Sequence, residues 1–332
     1  MPHTNQHSVV ILMYHSINEV SNERIYPSNI VSPVNFVKQM MYLASCAQVI
    51  SLDRYVDCVR DGTHLPAGSV ILTFDDGYKD NFTNAYPVLR KYGLPATFFL
   101  PTAYIGTGEA KWDDLLSYLV RRSTIKEFSV ELDIWQGSKR FTIPGKKAKL
   151  KVIDQLVRSL GSVSSVDRQR VLDQMPSQLR VDPGELDTSD LMLSWQDVRK
   201  MSKTTGISFG AHGVTHSRLS DLSVEAARWE IIDSKGRIVI AIDRPVKFFS
   251  YPFGGPDNFN GQIKNILRSE GFECAVTSVY GRNDSGSDLL QLRRVRALNC
   301  GAVGFRIALS IMSSTVGEPM RRSYHLFRKR AS

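Results

Sequence analysis

The chain lacks the markers of several common protein classes. Its four cysteines, Cys46, Cys58, Cys274 and Cys300, include no C-x-x-C pair. That excludes a zinc ribbon and a redox dithiol of that type, and reduced, mostly buried thiols are expected. No run approaches the ~18 consecutive apolar residues of a membrane-spanning helix. The opening MPHTNQHSVVILMYHSI has no Lys or Arg, and its apolar run is too short for a secretory signal. With Met1 present, a cytoplasmic protein is expected. No G-x-x-x-x-G-K-[ST] occurs, which argues against a P-loop, and the one G-x-S-x-G match, residues 206–210, runs through a predicted buried strand instead of a strand-to-helix turn, which argues against an α/β-hydrolase elbow. Gly106-Thr107-Gly108 starts a G-x-G, but no third glycine follows. Internal repeats and low-complexity stretches are missing too.

What remains is an ordinary globular composition. The 332 residues are 42% hydrophobic and 23% charged, enough to bury a large core without disulfides or structural metals. The formal net charge is +9, and Arg321, Arg322, Arg328, Lys329 and Arg330 supply more than half of it. This C-terminal tail could touch an anionic membrane or simply be solvated. A second basic cluster, Lys146, Lys147, Lys149 and Lys151, falls on a predicted helix, where a solvated face is the plainer reading. Neither cluster is interleaved with aromatics, so nucleic-acid binding is not expected.

Short β-branched runs alternate with helical patterns. Residues 9–13, 70–74, 96–100, 207–211, 246–250 and 274–277 read as buried strands. Ser32-Pro33 reads as a helix start, residues 80–92 as a helix closed by Gly93, and Ser194-Trp195-Gln196-Asp197 as a capping box. Ser223 can cap a further helix, and Gly271 can end another. Such alternation predicts an α/β fold with a mostly parallel sheet, either a barrel or doubly wound. The rhythm breaks between about 102 and 193, where residues 128–143 suit a hairpin and residues 150–160 and 166–175 suit helices. Residues 102–193 are therefore expected to form a largely helical insertion near the rim of a site. Residues 1–101 and 194–310 form the main domain, and 311–332 the basic tail.

Two strand ends concentrate metal-binding residue types. Thr73-Phe74-Asp75-Asp76-Gly77-Tyr78 ends an apolar strand in two carboxylates and a glycine. The glycine permits a sharp turn that can bring both acids to one pocket. A helix cap is the competing reading. His212-Gly213-Val214-Thr215-His216 follows another strand. Histidines four apart can meet on a helix face or across a tight turn and bind a divalent ion with a carboxylate; two surface histidines are the alternative. A third strand end, Ser250-Tyr251-Pro252-Phe253-Gly254-Gly255, is either a stiff turn aiming an N–H at a reacting centre or an ordinary turn. His15, at the end of the first strand, is either a proton donor or structural.

TFDDGY (73–78), HGVTH (212–216) and FSYPFG (249–254), in that order, resemble the polysaccharide deacetylases of carbohydrate esterase family 4. PATFFL (95–100) and ILMYHSI (11–17) are similar as well, particularly to the bacterial exopolysaccharide branch with its N-terminal MYH motif. The resemblance implies a distorted (β/α) barrel and a metal-dependent hydrolase that removes N-acetyl groups from an amino-sugar polymer, oligomer or glycan precursor. It implies Asp75 as general base, Asp76, His212 and His216 as metal ligands, and the Phe253 N–H as an oxyanion donor. The expected metal is Zn²⁺, with Co²⁺ as an alternative. Many members tether the base with an Arg where this chain has Ser250; Arg294, in a segment similar to the family's late L-x-R, could substitute. No late L-x-H histidine occurs, and the exopolysaccharide branch assigns the acid role to the residue matching His15. Two alternatives stand beside this reading: a metal-dependent hydrolase of another non-peptide C–N bond, and an inactive binding protein in a polysaccharide-assembly complex. Many relatives work outside the membrane, so a glycan precursor at the inner membrane face would reconcile the family with a cytoplasmic chain.

Overall fold

The computed structural model describes residues 8–19, 25–26 and 29–313. The basic tail from residue 314 onward, with Arg321 to Arg330, lies outside the described residues. Within them, seven parallel strands close into a barrel. They are β1 (Val10–Tyr14), β2 (Ser69–Phe74), β3 (Ala96–Leu100), β4 (Ile207–Ala211), β5 (Phe248–Ser250), β6 (Cys274–Tyr280) and β7 (Leu292–Arg296). Neighbours in sequence are neighbours in the sheet, and β1 pairs with both β2 and β7 to complete the ring. A short strand, Gln48–Val49, pairs with the outer part of β2.

The strands are apolar on both faces because one face fills the barrel and the other meets helices. Ile11, Ile71, Phe99, Phe248, Val276 and Leu292 pack inside. Leu12, Phe74, Phe98, Phe209 and Phe249 belong to the larger core beneath the helices. Helix starts follow local capping chemistry. Ser32 accepts from the Asn35 N–H, Ser223 accepts from the Ala226 N–H, and Ser194 with Asp197 forms a complete capping box. The 80–92 segment departs from a regular helix. Asn81–Ala85 is a wide π-helical turn before Tyr86–Tyr92, since Asp80 and Asn81 bind the chain after β1 instead of serving the helix.

Residues 112–186 build a second apolar core from Leu116, Leu119, Phe128, Phe141, Ile153 and Leu172 among others. It joins a hairpin (Glu127–Leu132 with Gly137–Thr142) to the helices Trp112–Arg122, Lys146–Leu160 and Ser165–Leu179. In the lysine cluster, Lys149 is not on a solvated face. Its ammonium donates to the carbonyls of Arg121 and Ser123 at 2.9 and 2.6 Å, closing the end of the Trp112–Arg122 helix. Cys58 and Cys274 are buried and Cys46 is exposed; all four cysteines are free. No helix among the described residues is long and apolar enough to cross a membrane.

Candidate active site

All the strands point their C-terminal ends to one mouth, where a parallel barrel collects its loop residues. A cavity of about 240 Å³ opens there, and His15, Asp75, Asp76, His212, His216, Phe253 and Arg294 all line it. The seven residues singled out by sequence thus share one space. Asp154 and Val157, from the Lys146–Leu160 helix, add a wall from the inserted region. The Tyr26 hydroxyl donates to Asp154 Oδ1 at 2.5 Å and ties that wall to the barrel.

The two adjacent carboxylates diverge because the backbone turns sharply between them. Asp76 has φ +74° and Gly77 φ +67°. The left-handed backbone at Gly77 is what calls for glycine, and a Cβ there would in addition have to push aside the side-chain ends of Ile105 and Leu100, at 2.8 and 3.0 Å. Asp75 consequently faces the barrel axis and Asp76 faces the histidines.

Asp75 is held by a two-pronged guanidinium. Arg294 Nη1 donates to Oδ1 at 2.8 Å and Nη2 to Oδ2 at 2.6 Å. Arg294 is itself fixed by Thr277 O, Thr73 Oγ1 and Ser250 Oγ. The Ser250 hydroxyl also lies 3.3 Å from Asp75 Oδ2. Burial alone would favour the neutral acid, but the charge and the paired hydrogen bonds of Arg294 outweigh it. They hold the Asp75 carboxyl well below the usual carboxylate range.

Asp76, His212 and His216 present one donor atom each, all within 4.8 Å of one another, and all three residues are buried. Asp76 Oδ1 lies 3.7 Å from His212 Nε2 and 3.4 Å from His216 Nε2. His212 Nδ1–H donates to the Ser250 carbonyl at 2.7 Å, which aims Nε2 at Asp76. The loop between the histidines is pinned by Glu230. Its Oε2 accepts from the Val214 and Thr215 N–H groups at 2.5 and 3.0 Å, and its Oε1 accepts from the Thr215 hydroxyl at 2.5 Å. This carboxylate fixes the tight turn, and the histidines meet across it with ring centroids 4.9 Å apart.

These residues fit a divalent cation. Asp76 Oδ1 and His216 Nδ1 are buried polar atoms without a hydrogen-bond partner among the described residues, a costly state that a bound ion would relieve at the carboxylate oxygen. One carboxylate oxygen with two imidazoles is a donor set of the kind that binds zinc and similar ions.

His15 and Phe253 complete the mouth. Asn81 Nδ2 donates to the His15 carbonyl at 2.7 Å, while Asp80 accepts from the Ser16 hydroxyl and the Ile17 N–H. The π-helical turn thus serves to anchor the histidine. Burial lowers His15 to about 4, against the pull of Asp76 and Asp75. Phe253 has φ +62°, and the Gly254 N–H closes a three-residue turn onto Pro252 O at 2.7 Å. The turn leaves the Phe253 N–H outside the backbone hydrogen bonds of the described residues. The Phe253 ring packs 5.0 Å from His216 and 6.2 Å from Trp112.

Sequence reasoning did not find four residues that support this site: Lys111, Asp114, Glu230 and Arg168. Lys111 and Asp114 stand in Lys-Trp-Asp-Asp, which reads as acids in an ordinary first helical turn. Glu230 reads as one more surface charge on a helix. Arg168 is buried over the Trp112 ring at 4.8 Å and donates to the Ser217 hydroxyl at 3.0 Å, beside His216. No local signal separates it from the neighbouring Arg170.

The comparisons with known proteins agree with this geometry. The chain matches the polysaccharide deacetylase family over residues 63–275. It is 31% identical over 96 residues to the poly-β-1,6-N-acetyl-D-glucosamine N-deacetylase of Staphylococcus aureus strain MSSA476, a match covering 29% of this chain and 31% of that protein. The match thus spans about a third of the curated relative. The Streptococcus pyogenes deacetylase PplD, solved with acetate, superposes with a TM-score of 0.57 at 21% identity, covering 88% of this chain and 93% of that one. IcaB from Ammonifex degensii gives 0.58 at 17% identity, covering 93% and 98%. At these identities the structural likeness concerns the fold.

Proposed function

The chain belongs to the polysaccharide deacetylase family, and on that premise we propose that it hydrolyses the N-acetyl amide of an amino-sugar-containing polysaccharide, oligosaccharide or glycan precursor. The observation that carries this reading is one cavity holding an Arg-tethered carboxylate beside a separate Asp-His-His donor set. An amide is a poor electrophile, water is a poor nucleophile, and an amide anion cannot leave; each obstacle has a group here to meet it.

Asp76, His212 and His216 would hold a divalent cation, for which we propose Zn²⁺. When bound, such an ion supplies Lewis acidity towards the acetyl carbonyl and makes water more acidic. Asp75, ionised at neutral pH, accepts the proton of the attacking water. The Phe253 N–H donates to the oxygen on which negative charge develops. His15 rests as a neutral imidazole, so it acts as an acid by relaying to the departing sugar nitrogen the proton that Asp75 has taken from water, which returns both groups to their starting states. The products are acetate and a free amino sugar. Arg294 supports catalysis over an inactive scaffold, because it supplies the base tether that Ser250 lacks.

Metal content and turnover test this reading together. The wild-type chain is expected to carry about one divalent ion and to release acetate from N-acetylated glucosamine oligomers. His212→Ala/His216→Ala is expected to lose both. Equal metal in the two proteins, or no uptake of zinc or cobalt by either, would return the inactive scaffold as the better account. A panel of cyclic amides run alongside distinguishes hydrolysis of another C–N bond.

The acid role has its own signature. His15→Gln is expected to lower the rate on an N-acetyl amide by about 10²–10⁴-fold. The rate on an activated acetate ester should fall far less, because a phenolate leaves without a proton. Equal losses on the two substrates would remove His15 from proton donation.

A further inference from the structure

The inserted region also reaches the donor set itself. Lys111 precedes the Trp112–Arg122 helix, and its side chain has no solvent exposure. Its ammonium lies 2.8 and 3.0 Å from the two oxygens of Asp113, 3.6 Å from Asp114 Oδ2 and 3.4 Å from Asp76 Oδ2. It also sits 5.5 Å from the centre of the Tyr78 ring, whose hydroxyl donates to both Asp114 oxygens at 3.1 and 2.9 Å. A buried ammonium must be paired, and Asp113 and Asp114, from its own segment, already do this. The contact to Asp76 is different, since it crosses from the inserted region to the end of β2.

That contact makes the two oxygens of Asp76 unequal. Oδ2 faces the ammonium, while Oδ1 has no hydrogen-bond partner and faces both imidazoles. A carboxylate with both oxygens free can chelate an ion through both. A catalytic site with three protein ligands needs its remaining coordination position open. We propose that Lys111 is a positioning residue that engages Asp76 Oδ2, so that Asp76 serves the metal through one oxygen and a coordination position stays open for the reacting groups. Asp113 and Asp114 offset the repulsion between the ammonium and a nearby cation. The inference rests on the reading of Asp76, His212 and His216 as metal donors.

The test uses the full chain loaded with Co²⁺, whose visible absorption weakens as coordination number rises. Three proteins are compared: wild type, Asp114→Asn, and Lys111→Met/Asp114→Asn, which removes one charge of each sign. Folding is checked by thermal unfolding. Asp114→Asn is expected to need more Co²⁺ for saturation, since part of the charge that offsets the ammonium is gone, but once saturated to keep the intense bands of wild type, because Lys111 still engages Asp76 Oδ2. The double variant should show weaker bands and need about 10–100-fold more acetate, the usual scale for losing a partner of a metal ligand. A double variant matching wild type overturns the proposal, as does an equal change in Asp114→Asn, which keeps Lys111. Failure of wild type to take up Co²⁺ instead overturns the metal reading. Should the double variant not fold, the slowly exchanging Lys111 ammonium resonance of the wild-type protein decides. Zn²⁺ must shift it, and an unmoved resonance overturns the contact with Asp76.

Discussion

Asp75→Asn is expected to lower kcat/KM on an N-acetylated amino-sugar oligomer by about 10²–10⁴-fold, the range for a positioned general base, with metal content unchanged. The two halves of this expectation come from the turn at Asp76-Gly77. Both Asp75 oxygens are occupied by Arg294, so Asp75 is not among the donors that converge near His212 and His216. Its charge is what the reaction uses, and asparagine removes that charge at nearly constant shape. One carbamoyl oxygen can still accept from the guanidinium, but its NH₂ faces a second donor. The base is lost and the tether is half lost, while the neighbouring donor set keeps its geometry. Assay of acetate release with metal analysis on the same sample checks both. Turnover within about tenfold of wild type would falsify the base assignment. Loss of metal would mean that Asp75, not Asp76 alone, serves the ion.

Much of the barrel was legible because buried parallel strands are apolar throughout. The runs at 70–74, 96–100 and 207–211 coincide with β2, β3 and β4 to within a residue. The strand β7, Leu292-Arg293-Arg294-Val295-Arg296, was not predicted as a strand from its pattern. Three arginines in five positions read as surface, yet Arg294 is 2% exposed. Its charge is tolerated inside because Asp75, Thr73, Thr277 and Ser250 meet it, and these partners come from three separate strands, β2, β5 and β6, and their ends. Motif and resemblance located Arg294 where periodicity could not. The same limit explains Lys111 and Glu230. A buried charge is identified by its partners, and those partners are brought together by tertiary structure. The wide turn at Asn81–Ala85 was hidden for a related reason: its purpose is to hold His15, 66 residues from Asn81.

Arg294→Met is expected to be the most damaging single change to stability at the site. It strands the Asp75 carboxylate in a buried position, and removing one partner of a buried pair typically costs about 3–5 kcal/mol at neutral pH. For a chain of 332 residues, that corresponds to a fall in Tm of about 4–7 °C. The pH dependence identifies the cause. In the wild type the Asp75 pKa is depressed on folding. The pair therefore contributes its full stability above the unfolded carboxyl pKa of about 3.9, and loses it as pH falls through the lower folded value. In the variant burial is the largest remaining influence, so the Asp75 pKa rises and the protonated acid needs no counter-charge. The stability gap between the two proteins should be widest at neutral pH and narrow as pH falls towards 4. A packing defect from the lost guanidinium would instead give a gap independent of pH. Activity should follow the same logic, because a base with a raised pKa is ionised only at higher pH. The acidic limb of the kcat/KM profile is expected to move to higher pH, and unfolding curves with rate profiles at matched pH values measure both effects on one variant.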